Sequence, residues 1–164
     1  MSFHQQIGEL INRYCIQYKL RPDIVGGLIM QESSAMPLAT RFEPGFKRKY
    51  LDGKRLGYFI PDSTRVPLEY EVLQRATSFG LCQIMGEVAR QYGIRSTWLT
   101  IIYEPSVNIE LCCRILSRNL GDMRDEAAYR KALLRYNGGG DPEYPDKIFK
   151  RIERGEHKRF FEGE

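Results

Sequence analysis

The sequence predicts a mainly α-helical chain, and the prediction begins with periodicity. Apolar residues recur at helical spacing in several stretches, while no stretch shows the sustained apolar and polar alternation of a half-buried strand. The 164 residues fit a prior of roughly 100 to 200 residues per domain, so one domain over 1–164 is expected. With 42% hydrophobic and 28% charged residues, disordered and collagen-like classes are excluded. No internal repeat appears.

The elements follow in order. Ile7, Leu10, Ile11, Tyr14 and Tyr18 place a helix over 3–19. Pro22 suits a first helical position and Asp23 puts a carboxylate at the positive helix end, so a second helix runs over 22–34. That helix is apolar almost all round until Glu32. Over 37–67 the pattern breaks: Pro37, Pro44, Gly45, Gly53, Gly57, Pro61 and Pro67 punctuate aromatic and basic residues. A structureless loop of such length is uncommon in a compact domain, so short strands or a helical turn are expected within it. Helical periodicity resumes over 68–75, 84–92 and 107–120, the last carrying a core stripe of Ile109, Cys112, Cys113, Leu116 and Leu120. A helix over 126–136 stops at Gly138, Gly139 and Gly140. The last helix, over 146–154, precedes a charged tail, giving seven or so helices.

The longest purely apolar run, 24–30, is far short of the roughly 20 residues that cross a bilayer, so no membrane insertion is expected. The first ten residues lack the basic and apolar regions of a signal peptide, and synthesis in a cytosol is the expectation. Cys15, Cys82, Cys112 and Cys113, with His4 and His157 at opposite ends, form no metal-ligand spacing, and reduced thiols are expected with neither metal nor cofactor. The net charge of +4 favours an anionic partner only weakly, and without a recognition motif no nucleic acid is expected.

Chemistry enters with Glu32. A carboxyl at the end of an apolar helix is costly to ionise, so desolvation is expected to raise its pKa and keep a proton available near neutral pH. Three segments suit a carbohydrate groove: Glu32-Ser33, then Ser78 through Met85, then Arg135-Tyr136-Asn137 with its three glycines. In this order they resemble the lysozyme-like lytic transglycosylases of the soluble (goose-type) class, whose domain carries Glu-Ser, Gly-Leu-Met-Gln-Ile/Leu-Met, Ala-Tyr-Asn-Gly-Gly and a late tyrosine. The resemblance spans about 20–152. It implies Glu32 as the sole catalytic acid/base and Ser33 as the hydroxyl that orients it or meets substrate. It implies Gly80, Gln83 and Met85 as groove residues, Tyr136 and Asn137 as the third motif, and Tyr144 as the tyrosine near the glutamate. Cys82 and Arg135 replace the usual apolar and small residues.

Glu32 and Gly80 lie much further apart than is usual in that family, because an insertion over about 37–75 intervenes. Arg41-Phe42-Glu43-Pro44 with Ala76 through Gly80 resembles phage cell-wall lysins and tail-associated murein enzymes. The resemblance implies peptidoglycan glycan strands as substrate. Glu32 would protonate the glycosidic oxygen between N-acetylmuramic acid and N-acetylglucosamine, then take the proton of the muramic C6 hydroxyl as a 1,6-anhydro end closes. The alternative is a hydrolytic muramidase with a second carboxylate, for which Glu43, set between Phe42, Pro44 and Phe46, is the preferred residue over Asp52 and Asp62. A catalytically silent wall-binding tail module is a further alternative. Holin-dependent release, carriage on a phage tail and injection by a secretion machine all fit the sequence as modes of delivery.

Overall fold

The computed structural model describes residues 1–162 and is mainly α, with three short strands. Its contacts divide the chain into two compact units, one formed by Met1–Ala35 with Ile109–Glu164, the other by Met36–Asn108.

The first unit is helical. Helix α1 (Phe3–Tyr18) opens on a capping box in which Ser2 and Gln5 satisfy each other's backbone N–H groups. It buries Ile7 and Ile11 of the expected stripe together with Cys15, while Leu10, Tyr14 and Tyr18 are half-buried. Helix α2 (Pro22–Ser33) starts with Pro22 in its first turn and is buried from Ile24 through Met30. Its apolar circumference is explained by its neighbours: α1 covers one side, α8 (Tyr144–Glu153) and a 3-10 turn (Glu156–Phe160) cover another. Close approach needs glycine here. A Cβ on Gly27 would lie 2.8 Å from Ile152 Cγ1, and one on Gly26 would lie 3.0 Å from His157 Cβ. Helix α6 (Pro105–Leu120) supplies the stripe of Ile109, Cys112, Cys113 and Leu116, all inaccessible. Helix α7 (Glu126–Tyr136), capped by the Asp125 side chain, packs on α8.

The second unit holds an antiparallel sheet of β1 (Thr40–Phe42), β2 (Thr77–Phe79) and β3 (Ile84–Met85), in that order. Arg41 faces Ser78 and Ser78 faces Met85 in the register. A helical turn α3 (Pro44–Phe46), a π-helical turn (Lys47–Leu51), α4 (Leu68–Arg75), α5 (Gly86–Gln91) and a 3-10 turn (Leu99–Tyr103) complete it. Its interior is held by charge. Glu71 and Arg75 are inaccessible and Arg90 is nearly so. Arg75 Nε donates to Glu71 at 2.7 Å, and Arg90 donates to both Glu71 oxygens at 2.8 and 2.9 Å. The remaining guanidinium hydrogens reach the Gly57, Phe59, Ile94 and Ser96 carbonyls and Glu87. Buried charge is tolerable because nearly every polar atom of it is paired.

Four expectations need correction. Strand β1 and the α3 turn fall in the stretch expected to hold short strands or a helical turn, but β2 and β3 lie outside it and escape the alternation test because neither exceeds three residues. Residues 84–85 pair with β2 instead of opening a helix, so the helix expected over 84–92 begins at Gly86. The last helix starts at Tyr144, two residues early, because Pro145 occupies its first turn without needing an N–H partner. The charged tail folds into a turn because Phe160, 2% exposed, is drawn against the Gly8 and Gly26 backbone. The four cysteines are buried free thiols.

Candidate active site

In the first unit, α2 ends in two residues of the left-handed region, Ser34 (φ 52°) and Ala35 (φ 66°). Glu32 thus sits in the last turn of α2 and is half-buried. The packing of α8 on α2 brings the first residue of α8, Tyr144, beside it, and the Tyr144 hydroxyl donates a hydrogen bond to Glu32 Oε1. Tyr144 itself is 4% exposed, so the phenol is fixed by packing and aims one donor at one carboxylate oxygen. Gln31 accepts from Arg151 Nε at 2.8 Å, a second tie between the same two helices. The Ser33 hydroxyl donates to the Ile29 carbonyl at 3.3 Å, one turn back along the helix. Tyr136 closes α7 and Asn137 caps it, both half-buried, before Gly138 and Gly139 turn the chain at positive φ.

The other residues singled out from the sequence lie in the second unit. Gly80 has φ +74°, and a Cβ there would meet Asn108 Nδ2 at 2.6 Å, so both conformation and space demand glycine. Its N–H donates to the Ala39 carbonyl at 2.8 Å. Gln83, at φ 48°, donates its side-chain amide to the Ala39 and Gly80 carbonyls, each at 3.0 Å. The motif's glutamine therefore locks the loop that carries it. Met85 is half-buried on β3, next to this loop. Cys82 is inaccessible and faces the core, as an apolar residue would. Glu43, the candidate second carboxylate, stands just after β1 in an ion pair with Arg41.

Sequence reading missed the residue that organises this loop. Asn108, fully buried in the first turn of α6, donates to the Phe79 and Ile102 carbonyls at 2.8 and 2.9 Å and accepts from the Cys82 N–H at 2.8 Å. Its signal was available as a lone amide among the apolar residues Val107, Ile109 and Leu111. It missed the Glu71, Arg75 and Arg90 cluster as well, since charges at such spacing read as a solvated helix face.

A helical chain with one glutamate at the end of a buried helix, under a buried tyrosine, is the arrangement that the resemblance to the lysozyme-like class implies. The family model of the Transglycosylase SLT domain matches residues 9–144, and the chain belongs to that family. The match begins inside α1 and ends at Tyr144, so it takes in all three motifs and the stretch between the first and the second. No curated protein and no solved structure matches the chain. Membership makes the protein a peptidoglycan-degrading enzyme of the lytic transglycosylase kind. No helix among the described residues is long and apolar enough to cross a membrane.

Proposed function

We propose that the protein cleaves the bond between N-acetylmuramic acid and N-acetylglucosamine without water, leaving 1,6-anhydro-muramic ends, with Glu32 as both acid and base. The observation that carries this reading is the hydrogen bond from buried Tyr144 to Glu32 Oε1. One oxygen of the carboxyl is held by a fixed phenol, and the geometry of its proton transfers is thereby set in advance.

In the first half of the reaction the glutamic acid proton moves to the glycosidic oxygen, the C–O bond breaks, and positive charge develops at the muramic anomeric carbon. In the second half the glutamate takes the proton of the muramic C6 hydroxyl, whose oxygen closes onto that carbon. Atoms balance with no water entering, and no second carboxylate is needed. Gly80, Gln83, Met85, Tyr136 and Asn137 are assigned to holding sugar rings, and Ser33 to supporting Glu32. The ion pair of Glu43 with Arg41 suits a structural carboxylate better than one that activates water.

We further assign the protein to phage-type lysins, made in a bacterial cytoplasm and acting on the wall, on the strength of Arg41 through Pro44 and Ala76 through Gly80. Expression in a bacterial host with and without a membrane-permeabilising partner tests the delivery: lysis only with the partner is expected. Lysis without it would point to another route. Replacing Glu32 by Gln tests the chemistry, with release of soluble sugars from purified peptidoglycan falling by about 10²-fold or more while the fold is kept. Undiminished release would remove Glu32 from the role.

A further inference from the structure

Residues 47–58, Lys-Arg-Lys-Tyr-Leu-Asp-Gly-Lys-Arg-Leu-Gly-Tyr, hold five Lys and Arg against one Asp. That surplus equals the net charge of the whole chain, +4, so the rest of the protein is balanced. The one acid, Asp52, is taken by Lys47 at 2.5 Å. Arg48, Lys49, Lys54 and Arg55 are exposed, and none of them forms an ion pair among the described residues. Two tyrosines interleave with them. Tyr50 is 52% and Tyr58 is 61% exposed, and Lys49 Nζ lies 4.9 Å from the Tyr50 ring centroid.

The segment is anchored. Leu51 is buried, the Lys54 N–H closes a turn onto the Leu51 carbonyl at 3.1 Å, and buried Arg75 grips the Gly57 and Phe59 carbonyls at 2.9 and 2.7 Å. Four like charges are thus kept close together on a fixed backbone, where they repel one another until an anion neutralises them. Exposed aromatic faces add a preference for ligands that also present apolar ring or chain surface. A polymer of sugars substituted with carboxylate-bearing peptides offers both.

We propose that residues 47–58 form a second substrate-binding surface, which takes the carboxylates of the peptide stems of peptidoglycan through Arg48, Lys49, Lys54 and Arg55, with Tyr50 and Tyr58 packing on the adjoining chain or sugar. The inference rests on the peptidoglycan reading above and names a part of that substrate that the sugar-cleaving residues do not address.

The test is co-sedimentation with insoluble peptidoglycan in the Glu32→Gln background, which prevents digestion. Adding R48Q, K49Q, K54Q and R55Q is expected to weaken binding to intact peptidoglycan by about tenfold or more and to flatten its salt dependence. On peptidoglycan whose carboxylates have been converted to amides, the proteins with and without these substitutions are expected to bind alike. Equal binding to intact material, or the same loss on amidated material, would overturn the proposal. So would tighter binding of the unsubstituted surface to single-stranded DNA or to vesicles of acidic phospholipid than to peptidoglycan. A K54Q/R55Q pair, expected to give a smaller loss of the same sign, keeps the test valid if the fourfold variant does not fold. Failure of the catalytic reading is separate, since it appears as binding without sugar release by the unsubstituted protein.

Discussion

The hydroxyl of Tyr144 and the carboxyl of Glu32 stand far apart in sequence and meet because α8 starts where α2 ends. Replacing Tyr144 by Phe keeps the ring and removes the hydroxyl that donates to Glu32. Sugar release is expected to slow about tenfold, in kcat more than in KM, because a donor that positions a reacting group acts mainly on the chemical step. An unchanged kcat would make the contact incidental. A second tyrosine gives a pH signature. Burial, with a hydrogen bond to Glu110, pushes the Tyr18 phenol up to about 12 from 10.0. A raised phenol favours the neutral form in the folded state, so its contribution to stability is complete below pH 10 and is lost as pH rises from 10 toward 12. Thermal melts over that range should fall less steeply for Tyr18→Phe than for the unsubstituted protein, and parallel curves would refute the assignment.

Among the elements, α2 was legible because Pro22, Asp23 and seven apolar residues speak locally, and Glu32 stood out against them. The buried cluster of Glu71, Arg75 and Arg90 was not legible, since its meaning depends on carbonyls at Gly57, Phe59, Ile94 and Ser96 that only the fold brings near. Strands β2 and β3 were missed for a similar reason: two or three residues define no period, and the loop between them is held by Gly80, Gln83 and Asn108. These contacts make predictions. Glu71→Gln leaves buried Arg90 without a counter-charge and Arg75 with Glu87 alone, and should cost about 3–5 kcal/mol in denaturant unfolding. A loss under 1 kcal/mol would show that the cluster is not what holds α4 to α5. Gly27→Ala should cost about 1–3 kcal/mol by pressing on Ile152, and Ile152→Ala should recover part of it in the double variant.

For the molecule as a whole, order of motifs mattered more than any one of them. Glu-Ser, Gly-Leu-Cys-Gln-Ile-Met and Tyr-Asn-Gly-Gly are each short, yet their succession along the chain points to the family that the match over 9–144 establishes. Residues 37–75 lie between the first two motifs, the first at the end of α2 and the second at the turn from β2 to β3. They also carry the surplus charge of the protein in one anchored stretch. The central claim is that one glutamate, serving as acid and then as base, closes an anhydro ring instead of admitting water. Mass spectrometry of the sugars released from purified peptidoglycan, with Glu32→Gln as control, tests it most directly. Muramic ends one water lighter than reducing ends, absent in the control, are predicted. Reducing ends would contradict the account and turn attention to a second carboxylate, with Glu43 the first to replace.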